Sequence, residues 1–118
     1  NKSLAHPASV DSLPTSANQE DHVSMATFAA RRLGEMVNNT GVVVGIEAMA
    51  AAQGIELKRS ASSPRSSAPV EAEITRIRAQ VAFVECDRYL APDIEAMRLW
   101  ALRADLPNEL LALLPSRI

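Results

Sequence analysis

Residues 42–53 read Val-Val-Val-Gly-Ile-Glu-Ala-Met-Ala-Ala-Ala-Gln, and this stretch decides the fold. It is apolar nearly all round and rich in small residues, Gly45, Ala48, Ala50, Ala51 and Ala52 among them. A helix without a polar face belongs in an interior. A chain of 118 residues is one domain at most and has little room to surround such a helix, so neighbouring chains are expected to cover it. Glu47 is then the exception, because a buried carboxylate is costly without a hydrogen-bonding or cationic partner.

The pattern on either side is also helical. No proline occurs from residue 16 to residue 53, and Val23, Ala26, Ala30, Leu33 and Val37 keep one helical face, widened by Met25, Phe28, Ala29 and Met36. Glu20, Ser24, Thr27 and Arg31 fall on a polar stripe at spacings of three and four. Asn38-Asn39-Thr40-Gly41 reads as a break or kink, since Asn and Gly are natural helix ends. Residues 58–68 form a basic, Ser-rich linker. Pro69 opens another helix, with Ser67 as its cap and Val70, Ile74, Ile77, Val81 and Val84 as a seam. A turn at Cys86-Asp87-Arg88 precedes a helix opened by Pro92 and ended by Pro107, and residues 108–114 form a last short one. The expectation is a single all-α unit over 1–118: a loop arm at 1–15, a long and kinked helix pair at 16–57, a linker at 58–68, and C-terminal helices at 69–118. Long helices in an oligomeric bundle, with an extended N-terminal arm, describe it.

The bulk chemistry excludes several functions. Hydrophobic residues make up 47% but aromatics only 3%, which favours close helix packing over an aromatic-rich sandwich. A net charge of −2 offers no electrostatic case for nucleic acid or an anionic membrane. The apolar run from 41 to 52 is interrupted by Glu47 and is too short to span a bilayer. Cys86 is the single cysteine, so an internal disulfide is impossible. His6 and His22 lack the spacing of a zinc site, and no Gly-rich phosphate loop or Gly-x-Ser-x-Gly elbow is present. A cytoplasmic piece of a longer protein is expected.

One stretch concentrates polar chemistry. Residues 10–25 read Val-Asp-Ser-Leu-Pro-Thr-Ser-Ala-Asn-Gln-Glu-Asp-His-Val-Ser-Met. Ser16 and Gln19 fit a capping box, with Glu20 and Asp21 in the first turn of a helix beginning there. Acids at a helix N-terminus complement the macrodipole and need no other role.

The order of these residues nevertheless resembles a segment of the histidine ammonia-lyases, members of the aromatic amino acid ammonia-lyase family. Asn1-Lys2, His6-Pro7-Ala8-Ser9, Ala51-Ala52-Gln53-Gly54 and the run from Asp87 through Tyr89 and Pro92 to Glu95 extend the resemblance over nearly the whole chain, matched to the C-terminal part of a much longer lyase. Ala26 stands where that family usually has Gly. The resemblance implies elimination of ammonia from L-histidine to give trans-urocanate. It also implies the electrophile 4-methylideneimidazol-5-one (MIO), formed from an Ala-Ser-Gly that is not present here. At the matching position it assigns Glu20 contact with the substrate imidazole, with Gln19 beside it at the edge of the site. Relatives acting on phenylalanine or tyrosine carry Gln at that position, so Glu20 favours histidine. The partners implied are L-histidine, the N-terminal remainder of the same lyase, and further copies in a homotetramer. The piece alone is expected to be inactive. Two rivals stand beside this: a non-catalytic helical oligomerisation module, and part of a related ammonia-lyase or aminomutase for another aromatic amino acid.

Overall fold

The structure, a computed structural model, describes residues 1–59 and 65–103. Helix α1 (Ala26–Arg59) is 34 residues long and dominates the chain. Helices α2 (Ala68–Arg78) and α3 (Ala91–Arg103) pack against it, α3 far more extensively. Among the described residues there is no strand, and the all-α class expected from the pattern is the class observed. The linker centre at 60–64, Pro107 and the short helix at 108–114 lie outside the described residues.

The core occupies the C-terminal half of α1. Met49 and Ala52 meet Ile74 and Ile77 of α2, Val81 beyond it, and Met97 of α3, which is fully buried. Two glycines let α1 and α3 come this close. A Cβ on Gly45 would lie 2.8 Å from the Met97 carbonyl carbon, and one on Gly41 would lie 2.9 Å from Leu102 Cγ. Arg98 secures the same crossing. Its guanidinium donates to both Glu95 oxygens, at 2.8 and 2.6 Å, and to Asn38 Oδ1 at 3.0 Å. These bonds from Arg98 hold the Glu95 carboxyl below the usual carboxylate range, against an opposing effect of desolvation. Because that folded-state value is lowered, the contribution is present at neutral pH and disappears as pH falls through the lowered value.

A second set of polar contacts fixes α2. The Gln53 amide donates to the Val84 carbonyl at 2.9 Å and accepts from the Val84 N–H at 3.1 Å, as a neighbouring strand would. Arg78 donates to Glu56 Oε2 from Nε at 2.8 Å and from Nη2 at 2.6 Å, and to Gln53 Oε1 at 3.2 Å. Glu71 accepts the Ser66 N–H at 2.8 Å and also pairs with Arg59.

The helices differ from the sequence expectation in three places. First, α1 starts at Ala26, so the helix expected over 16–57 lacks its first ten positions, and neither the capping box at Ser16 and Gln19 nor the polar stripe through Glu20 and Ser24 forms. Ser16, Ala17 and Asn18 are left-handed instead, with φ of 53°, 56° and 65°. The start is marked by Ser24, whose hydroxyl accepts the Ala26 N–H at 3.4 Å.

Second, there is no kink at 38–41. Asn38 Nδ2 and Thr40 Oγ1 donate to the carbonyls of Gly34 and Met36 one turn back, at 3.1 and 2.8 Å, so groups that would otherwise end the helix bond within it. Third, α2 stops at Arg78, and beyond it Gln53 holds the backbone of Val84, while Val81 stays buried as the seam required. Ser67 is at the cap position, but its side chain makes no cap bond. Residues 42–53 are not enclosed within this chain, which is too small to surround them. Val43 is 62% exposed, Val44 and Ile46 are also open, and so is Glu47.

Residues 1–15 run back along α1. Asn1 Nδ2 donates to Thr40 Oγ1 at 3.1 Å, Asn39 Nδ2 donates to Asn1 Oδ1 at 3.2 Å, and Arg32 Nη2 donates to the Ser3 carbonyl at 3.2 Å. The radius of gyration is 20.8 Å. A compact chain of this length would have about 13–14 Å, so the long helix is supported along only part of its surface.

The glycines provide a direct check. Gly45→Ala drives a methyl into the α3 backbone, which cannot move aside cheaply, and should destabilise by about 1–3 kcal/mol. Gly34 has nothing within 4 Å of its notional Cβ. Gly34→Ala should therefore stabilise by up to about 1 kcal/mol through helix propensity. Thermal unfolding of the two variants side by side should shift Tm in opposite directions.

Candidate functional site

Glu20 lies in a loop closed at two levels. At the inner level Thr15 and Glu20 pair as an isolated antiparallel bridge: Thr15 N–H donates to the Glu20 carbonyl at 2.8 Å, and Glu20 N–H to the Thr15 carbonyl at 3.3 Å. The left-handed residues 16–18 make the tip, and the Gln19 N–H donates to the Ser16 carbonyl at 3.2 Å. At the outer level Ser12 takes both backbone groups of Val23. Its hydroxyl donates to the Val23 carbonyl at 3.0 Å and accepts the Val23 N–H at 3.1 Å. The same oxygen is 2.9 Å from His22 Nδ1.

The Glu20 side chain is exposed, and its Oε2 accepts from Thr15 Oγ1 at 3.1 Å. Among the described residues no donor reaches Oε1. A carboxylate so presented can take an N–H or a cation on its open oxygen. Gln19 is exposed beside Glu20 along the chain, and its amide has no partner among the described residues. The structure therefore places both sequence-derived site residues on one exposed loop tip rather than on a helix. Asp21 and His22 are exposed there too.

Thr15 and Ser12 support the site, and the sequence reading passed them over. Their signal is weak, because a hydroxyl's partner depends on the left-handed turn between Thr15 and Glu20, which a helical pattern conceals. Among the described residues no group of three or more His, Cys, Asp or Glu is placed to hold a metal. The glycines Gly34, Gly41, Gly45 and Gly54 follow Leu, Thr, Val and Gln, so this chain has no Ala-Ser-Gly from which MIO would form. An apolar groove between α1 and α3, lined by Leu33, Val37, Gly41, Val44, Ala101 and Leu102, includes none of the residues of the Glu20 loop.

Comparison with known proteins puts this loop in context. The model of the aromatic amino acid lyase family matches residues 1–79, a span that includes the whole Glu20 loop and α1. The histidine ammonia-lyase of Paracidovorax citrulli is 66% identical over 116 residues, which is 98% of this chain and 22% of that protein. The histidine ammonia-lyase of Rhodospirillum rubrum is 63% identical over 82% of this chain and 18% of its own length. The chain thus spans about a fifth of the length of the curated relatives it matches. Among solved structures, the crystal structure of histidine ammonia-lyase from Trypanosoma cruzi superposes with a TM-score of 0.76 at 39% identity, covering 85% of this chain and 19% of that one. A family model over most of the chain, close relatives over nearly all of it and the same helical backbone agree: the chain belongs to the aromatic amino acid lyase family.

Proposed function

We propose that this chain is one part of a cytoplasmic histidine ammonia-lyase, a carbon–nitrogen lyase that converts L-histidine to trans-urocanate and ammonia, and that Glu20 is its contribution to substrate binding. The observation that carries this is the Glu20 carboxylate itself, exposed at a loop tip with Oε2 held by Thr15 and Oε1 open. An imidazole N–H donates to such an oxygen, and an imidazolium pairs with it by charge as well. A neutral amide there would lose the charge-assisted part of the bond, which is why Glu rather than Gln favours histidine over phenylalanine or tyrosine. Gln19 adds an amide at the edge of the same tip. MIO would have to come from polypeptide outside residues 1–118, so the role of these residues is to bind and orient the imidazole.

The open face of α1 supports a second contribution, to assembly. Val43, Val44 and Ile46 stay exposed although nothing in their chemistry favours water. Covering by other copies, in a tetramer, would enclose them. By length and composition α1 also passes for a membrane span, with an 18-residue window of mean hydropathy 1.2. In that same helix Gly41 and Gly45 make room for α3, while Gln53 and Glu56 carry the polar contacts to α2 and Val84, which suits a protein-covered core. If these residues did nothing except assemble, the chain would be a helical oligomerisation module.

Three measurements test this. In the complete lyase, Glu20→Gln should lower kcat/KM for L-histidine about 30- to 1000-fold, the equivalent of roughly 2–4 kcal/mol of a charge-assisted bond, with Tm unchanged. Wild-type kinetics would return Glu20 to a structural role. Residues 1–118 alone should form no urocanate, followed by its ultraviolet absorbance; turnover would show that the chain needs no further polypeptide. Val43→Asp should dissociate the assembly in detergent-free sedimentation, because enclosing an unpaired carboxylate costs several kcal/mol. An unchanged sedimentation coefficient would place Val43 outside every interface.

A further inference from the structure

Glu20 is exposed, and a free Glu side chain loses rotamer freedom when it is fixed. A substrate binding to a wandering carboxylate would bear that cost itself. The loop contains a group suited to fixing it in advance. Thr15 is half-buried and β-branched, so its χ1 is stiff, and its backbone is extended at φ −127° and ψ 178°. Both of its backbone polar groups are bonded to Glu20, at 2.8 and 3.3 Å. Its hydroxyl direction is therefore set by the residue it serves. The carboxylate can only accept, so the hydroxyl donates, at 3.1 Å, and it does so to Oε2 alone.

We propose that Thr15 is a positioning residue for Glu20: its hydroxyl occupies Oε2, selects one side-chain conformer, and leaves Oε1 as the oxygen that meets the substrate. This rests on the assignment of Glu20 to imidazole binding. The left-handed tip at residues 16–18 is what brings Thr15 and Glu20 face to face, and Ser12 closes the loop behind them. Thr15 does not contact the substrate in this account, and it acts only through Glu20.

A double-mutant cycle on the complete lyase tests this, with steady-state kinetics on L-histidine and Tm for each variant. Thr15→Val keeps the shape and the extended backbone but removes the donor, and should lower kcat/KM about 10- to 150-fold, the range for a hydrogen bond to a charged group. Thr15→Ser restores the donor and should recover activity to within a few-fold. In a Glu20→Ala background, Thr15→Val should cost nothing more. Thr15→Ala is measured in parallel, because a folding defect in either variant would persist without Glu20 whereas lost positioning would vanish. Multiplying losses in the double variant would overturn the proposal, as would full activity of Thr15→Val in an enzyme that Glu20→Ala cripples. A fully active Glu20→Ala would overturn the assignment of Glu20 first, and the role of Thr15 with it.

Discussion

Three consecutive non-glycine residues, Ser16, Ala17 and Asn18, sit in the left-handed region, and the candidate site depends on that constraint. Left-handed L-residues cost roughly 1–2 kcal/mol each, and of these three only Asn18 has a side chain that tolerates the conformation better than most. The turn survives because bonds on both sides oppose its opening: the Thr15–Glu20 bridge just below the tip, and the Ser12 hydroxyl across both polar groups of Val23. Strain of this kind persists only where the surroundings over-determine it, and such places cluster at functional sites. Here its consequence is geometric. It turns the chain back on itself, sets Glu20 beside Thr15, and delays the helix to Ala26.

Behind the loop, α1 is a rigid support with an unequal surface. Its C-terminal half is held by α2 and α3 through a small-residue crossing at Gly41 and Gly45 and through the contacts of Arg78 and Gln53. Its N-terminal half is lined on one side by residues 1–15, and an apolar face stays open. The chain presents an exposed carboxylate on the loop and an open apolar face on the helix. It spans about a fifth of the length of its relatives.

Much of the helical scaffold was legible in the sequence because periodicity and proline placement report on packing. Ile74, Ile77 and Val81 were assigned to a seam and are buried, and Pro92 stands at the start of α3, whereas Leu33 and Val37 of the expected N-terminal face and Val70 of the seam are exposed. The failures share one cause. Ser, Thr, Asn and Gln bond either to their own helix or away from it, and spacing does not say which. At 16–25 these bonds create a loop where a capping box was expected. At 38–41 they run back along the helix, where a break was expected. Gln53 holds the backbone of Val84, beyond the end of α2, from 31 residues away in sequence, outside the reach of any local pattern. Glu20 was singled out by the order of its neighbours, whereas its partner Thr15 required the folded loop.

The central claim is that one oxygen of Glu20 faces the imidazole of the substrate. Its most direct test is a crystal structure of the complete lyase with urocanate or an unreactive histidine analogue bound. The account predicts an imidazole nitrogen about 2.7–3.1 Å from Glu20 Oε1, with Thr15 still bonded to Oε2. A ligand whose ring nitrogens are satisfied elsewhere, with Glu20 turned to solvent, would contradict it.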